Sequence, residues 1–249
     1  MRLKLISCEI FYREMCAVVA RSPNCVDIEF LPYGLHTAGT DRMKERLQQA
    51  IDQVEPDKYE AVLLGYGLCN NGICGLQAGA DPLIVPRAHD CITLFLGSKE
   101  RYLDYFNNHP GVYYQTTGWV ERGTVNGELE QSSFAATSGM NMNYEEMVAK
   151  YGEDNARYLY EQFGDLLRNY TQYTFIEMGI EPDDSHELIA REKAQARNWT
   201  FEKIRGDITL IQRLVDGPWD EDVFLTVPPG HRLVACYDDS IIASEPVSP

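Results

Sequence analysis

Along the chain, short apolar runs alternate with stretches whose apolar residues recur at helical spacing. "LKLIS" (3–7) reads as a strand, and "VDIEFLPYG" (26–34) as a second one with apolar residues at alternate positions. Between them, "EIFYREMCAVVAR" (9–21) reads as a helix. Over 40–54, Met43, Leu47, Ala50, Ile51 and Val54 share one helical face, with Thr40 as the candidate N-cap. "YEAVLLGYG" (59–67) is almost continuously apolar, the mark of a strand buried on both faces of a parallel sheet. "DPLIVPRA" (81–88) and "GVYYQTTGW" (111–119) extend the series. This rhythm predicts an α/β fold: a mostly parallel sheet with right-handed crossovers and helices on both faces, Rossmann-like in outline.

The texture changes near residue 120. Residues 121–141 are polar and rich in Ser and Gly, which predicts a loop. Ala156, Leu159, Tyr160, Phe163, Leu167 and Tyr170 then recur at the spacing of a packed helix. "QYTFIEMGI" (172–180) returns to strand, and 183–199 opens as a helix. Asp207 caps a further helix over 208–217, which Gly217 closes. Two strands, 223–227 and 231–239, flank a Pro-Pro-Gly turn. The expected organisation is a first α/β unit over 1–121, a polar loop and bridging helix over 122–172, and a smaller second α/β unit over 173–249.

Charge narrows the possible partners. The 249 residues carry 22 Lys and Arg against 38 Asp and Glu, a net charge of -16. An acidic surface does not hold a phosphate backbone, so nucleic acid is excluded as an unaided partner. No apolar run is long enough to span a bilayer, and Glu9 interrupts the N-terminal apolar run, which argues against a signal peptide and a membrane role. A cytoplasmic, reducing location is expected. There the seven cysteines serve as thiols, metal ligands or catalytic groups.

Ligands of open parallel sheets bind beyond the carboxyl ends of the strands. Cys8 and Glu9 follow the first predicted strand, and Tyr33 and His36 the second. Gly65, Gly67, Cys69, Asn70 and Gly72 close the third, and Arg87, His89, Asp90 and Cys91 the fourth. Three thiols thus reach one edge. Thiolates are soft ligands for zinc or an iron–sulfur cluster, and three of them leave one coordination position open for chemistry. On this reading Cys8, Cys69 and Cys91 bind the metal, while Glu9, His89 and Asp90 handle protons. Arg87 and the backbone of Gly65, Gly67, Asn70 and Gly72 bind a small anionic molecule. The glycines do not make a dinucleotide fingerprint, because Asn70 occupies the third glycine position, and no Lys-Ser/Thr pair follows as in a P-loop.

Other readings stay open beside this one. Buried cysteine often serves only as a small apolar side chain, the role expected of Cys16 and Cys25, with Cys74 ambiguous. Cys91 could be a nucleophile with His89 or His36 as its base. His89 could be structural, Arg87 could pair with Asp90 or Glu9, and Tyr66 and Trp119 could wall a planar ligand or simply pack.

"YGLCNNG", "VPRAHDCITLFLGSKERY" and "GVYYQTTGW" resemble a bacterial and archaeal family, domain of unknown function 1638, and the resemblance runs from "ISCE" to near the C-terminus. Its members accompany corrinoid-dependent methyltransferase systems in anaerobes, so the resemblance implies a place in one-carbon metabolism and a corrinoid or methyltransferase partner. Two functions follow as expectations. One is a metal- or iron–sulfur-binding protein acting on or sensing a small anionic ligand. The other is a non-enzymatic accessory protein that binds a corrinoid or a methyltransferase.

Overall fold

The computed structural model describes residues 1–36, 39–69, 71–123, 148–149, 151–158 and 170–247. Its strands are β1 (Arg2–Cys8), β2 (Cys25–Leu31), β3 (Ala61–Gly65), β4 (Leu83–Pro86), β5 (Val112–Gln115), β6 (Gln172–Glu177), β7 (Thr200–Arg205), β8 (Phe224–Val227), β9 (His231–Ala235) and β10 (Ile242–Pro246). The main sheet has the order β2-β1-β3-β4-β8. Its first four strands are mutually parallel, and β8 returns antiparallel along β4. A second sheet, β5-β6-β7, is parallel throughout, and β9 and β10 form an antiparallel hairpin. The chain is therefore an α/β protein with a mostly parallel main sheet.

The apolar runs of β3 and β4 have the expected cause: every residue of both strands is buried. Leu3, Leu5 and Ile6 on β1 are wholly buried as well, each contributing about 1.5–3 kcal/mol. The helices are α1 (Tyr12–Val19), α2 (Thr40–Asp52), α3 (Cys91–Leu96), α4 (Lys99–Asn108), α5 (Thr117–Gly123), α6 (Ser185–Ala196) and α7 (Thr209–Asp216). Right-handed crossovers from β1 out to β2, then back past β1 to β3, set α1 and α2 on opposite faces. α1 packs on α7, which itself lies over β3 and β4.

A small second core lies under β6. It consists of Tyr173, Phe175, Ala190 and Ala194, with Trp199 and Phe201 packed against it. The two sheets meet at their carboxyl ends. A Cβ at Gly118 of α5 would lie 2.7 Å from the Ile10 carbonyl carbon, so the helix after β5 presses on the turn after β1.

Several elements differ from the sequence expectation. Residues 200–205 form an edge strand and 242–246 a hairpin strand, neither of which the pattern marks. The fifth strand stops at Gln115, and Thr117 starts a helix. The sheets also divide the chain differently from the expected units: β5 pairs with β6, whereas β8 joins β4. Gly39, at φ 102°, is the N-cap of α2, and Thr40 is its first helical residue. Ile208, not Asp207, is the N-cap of α7; Asp207, one residue earlier, accepts the Thr209 N–H on its Oδ1 at 2.9 Å. The loop over 121–141 and the helix over 156–170 lie mostly outside the described residues. Among the described residues no helix is long and apolar enough to cross a membrane.

Candidate functional site

From β1 the chain crosses to β2 on one side, then returns to place β3 on the other. The crevice beyond the carboxyl ends of β1 and β3 is thus a topological switch point, where sheets of this kind seat ligands. Cys8 is the last residue of β1, Cys69 lies in the turn after β3, and Cys91 opens α3 after β4.

Two backbone hydrogen bonds lace the turns after β3 and β4 together. Leu68 N–H donates to Ala88 O at 2.8 Å, and Cys69 N–H to His89 O at 3.0 Å. Glycine is required there, because a Cβ on Gly67 would stand 2.8 Å from the Asp90 Cα. Gly72 and Gly65 also serve close packing, against the Met43 sulfur and the Met15 methyl respectively. Cys69 itself has φ 46°, a left-handed conformation that costs a non-glycine residue about 1–2 kcal/mol. The Gly72 N–H closes this turn on Cys69 O at 3.0 Å.

The three thiols feel one another. Burial chiefly, helped by the negative charges of Cys69 and Glu9, pushes Cys8 up to about 12. Burial likewise pushes Cys69 up to about 12, with Asp90 adding to the shift. Cys91 is driven well above its ordinary value by burial, then by the charges of Cys69, Asp90 and Cys8. Opposing these effects, the Ile10 and Glu9 N–H groups favour a thiolate at Cys8, and those of Gly67 and Cys91 favour one at Cys69. A nucleophilic cysteine needs a depressed pKa, and Cys91 is shifted the other way. Cys25, expected to pack inside, is exposed at the start of β2, while Cys16 and Cys74 are partly buried.

The neighbouring polar residues have specific partners. Glu9 Oε1 accepts the Tyr33 N–H at 3.0 Å, bracing the turn after β2. Asp90 is the N-cap of α3: its Oδ1 accepts from the Ile92 and Thr93 N–H groups at 2.9 and 3.4 Å, and its Oδ2 from the Tyr102 hydroxyl at 3.1 Å. Both carboxylates thus hold turns that carry a cysteine or face one. His89 is exposed, its ring 6.3 Å from that of Tyr102. Arg87 donates from Nε to Glu221 O at 2.6 Å and from Nη1 to Ser240 O at 2.8 Å and to Ile242 O. Those bonds staple the turn after β4 to the C-terminal hairpin. Asn70 and the side chain of His36 lie outside the described residues.

Among the described residues, no group of three or more His, Cys, Asp or Glu side chains is placed to hold a metal ion. Five buried hydroxyl groups nearby or on the adjoining elements lack a hydrogen-bond partner among the described residues: Tyr66, Thr93, Tyr114, Thr116 and Thr117. The sequence places Tyr66, Thr116 and Thr117 at the ends of predicted strands, where a ligand would bind, but does not show that their hydroxyls lack partners.

No curated protein and no solved structure matches the chain. A family model described as "Protein of unknown function (DUF1638)" matches residues 30–215, well over half of the sequence, and the chain belongs to that family.

Proposed function

We propose that the chain binds a soft metal centre at the switch point through Cys8, Cys69 and Cys91, and that this centre acts on or senses a small anionic ligand. One observation carries the reading: cysteines from three separate strand ends lie within range of one another's charge. The donor chemistry fits, because thiolates with backbone N–H groups turned toward their sulfurs are the usual setting of iron–sulfur centres. A bound cluster would supply an open iron as a Lewis acid.

The protein's own groups do the rest. Glu9 and Asp90 fix the turns that position the thiols, and the exposed ring of His89 is free to carry protons. The staple formed by Arg87 leaves the anion contacts to other groups. The strand order supports the finer Rossmann-like description of the main sheet. Because Cys8, Cys69 and Cys91 are protonated when no metal holds them, loading releases protons, and metal affinity rises with pH. The test is anaerobic purification followed by elemental and sulfide analysis and visible absorption. Protein that emerges metal-free, and stays so after reconstitution with iron and sulfide or with zinc, defeats the reading.

The net charge of -16 favours a second reading. Such a surface suits a basic partner, as expected of an accessory protein that binds a corrinoid or a methyltransferase in one-carbon metabolism. Retention of partner binding by Cys8→Ser and Cys69→Ser variants would select it.

A further inference from the structure

The hydroxyl of Tyr66 is out of place in a well-packed interior. Tyr66 follows β3 directly, is 4 % exposed, and its hydroxyl has no hydrogen-bond partner. Burying a hydroxyl without a partner costs roughly 1–3 kcal/mol, so such groups commonly answer to something that fills the space beside them. Tyr66 lies close enough to Cys8, Cys69 and Glu9 to feel their charges. Burial raises the phenol well above its ordinary value, and the charges of Cys8, Cys69 and Glu9 follow as the next causes. A phenol is protonated at neutral pH, so its hydroxyl can donate to an anion placed there.

The other groups around it are donors as well. Backbone N–H groups of Ile10, Gly67 and Cys91 turn toward the sulfurs. Thr116 and Thr117, both buried and both with unpartnered hydroxyls, follow β5 just before Gly118, which presses on Ile10. The nearby carboxylates are already engaged: Asp90 accepts three hydrogen bonds and Glu9 accepts the Tyr33 N–H.

We propose that the Tyr66 hydroxyl is a ligand contact of the thiol site, donating a hydrogen bond to a small oxyanion, a carboxylate or a phosphate, seated between the carboxyl ends of the two sheets. The inference deepens the proposed function. It rests on the switch point being a ligand site and not on which metal the cysteines hold.

The experiment titrates acetate and inorganic phosphate separately into anaerobically purified wild-type protein and into Tyr66→Phe, with calorimetry as the readout and melting temperature measured without probe. One of the two probes is expected to bind the wild type and to bind Tyr66→Phe about tenfold more weakly or worse, the effect of losing a hydrogen bond to a charged group. The probe that binds identifies the oxyanion. The melting temperature of Tyr66→Phe should equal or exceed that of the wild type, because the substitution removes a hydroxyl that has no partner. Equal affinity in the two proteins overturns the proposal. So does a wild type that binds neither probe, or a variant that melts several degrees lower, since that marks a structural hydroxyl. Metal content measured on the same samples separates the two ideas. Metal-free protein that binds its probe through Tyr66 keeps this proposal and removes the metal, whereas metal-loaded protein indifferent to Tyr66→Phe does the reverse.

Discussion

The two parallel sheets are built on the same plan and hold very different amounts of core. The main sheet buries β3 and β4 completely and has helices packed over it. Among the described residues the second sheet packs a core of four, and its edge strand β7 is half-exposed along its length. The candidate chemistry follows that difference. All three cysteines of the site hang from the main sheet, whose packing can hold turns at fixed separations. The lesser sheet meets it where Gly118, just after Thr116 and Thr117, presses on Ile10.

Core substitutions probe the contrast most strongly. Leu63→Ala in β3 should cost about 5 kcal/mol, the upper end for such changes, because strands on both sides keep the cavity open. Chemical denaturation measures it, and a cost below about 2 kcal/mol would show a main sheet softer than described. Phe175→Ala should cost about 3 kcal/mol, the lower end for its type, since a small core collapses more readily. Metal content, if the centre is present, should survive the second change better than the first.

The junction between the sheets adds a pH test. Glu14 of α1 is buried, and one of its oxygens has no partner. Burial first, then Glu181 and Glu121, raise its carboxyl to about 7 from an ordinary value of 4.5, while Arg13 and the residue's own backbone N–H oppose the shift. The native state therefore holds this proton where the unfolded chain has lost it. Stability falls as pH rises from about 4.5 to 7 and is level above that, a change on the order of 3 kcal/mol. Glu14→Gln should flatten that slope and make the protein more stable at pH 8, as read by melting temperature across the range.

Smaller effects test the site itself. Gly67→Ala would push a methyl group into the Asp90 backbone, which cannot step aside. It should cost about 1–3 kcal/mol and reduce metal loading beyond what the stability loss explains. In metal-free protein, Cys25 should be alkylated at neutral pH long before Cys8 and Cys69, which are buried and protonated. Mass spectrometry of the labelled peptides gives the order, and early labelling of Cys69 would show that its turn opens.

The part of this architecture legible in the sequence was the part with the deepest burial. Continuous apolar runs disclosed β3 and β4, and one-sided spacing disclosed α2. The thiols stood out because each closes a strand that could be recognised. β7 escaped notice since "TFEKIR" buries no residue fully and so carries little apolar signal. Strand partnership was also hidden. Nothing local to 112–115 says that its neighbour is β6, more than fifty residues onward, and nothing in 224–227 points back to β4. Hydroxyl partners were invisible for a related reason, because an unsatisfied group is defined by what fails to surround it.

β1 has a consequence for anyone trimming this polypeptide. It runs between β2 and β3, hydrogen-bonded to both, while the family match begins only at residue 30. A fragment cut to 30–215 would lack the middle of its own sheet and the first cysteine, and would also shed β8 from the flank of β4. Such a fragment would offer two raw strand borders to its neighbours and should precipitate. The recognisable stretch of this sequence is shorter than the stretch that can stand alone.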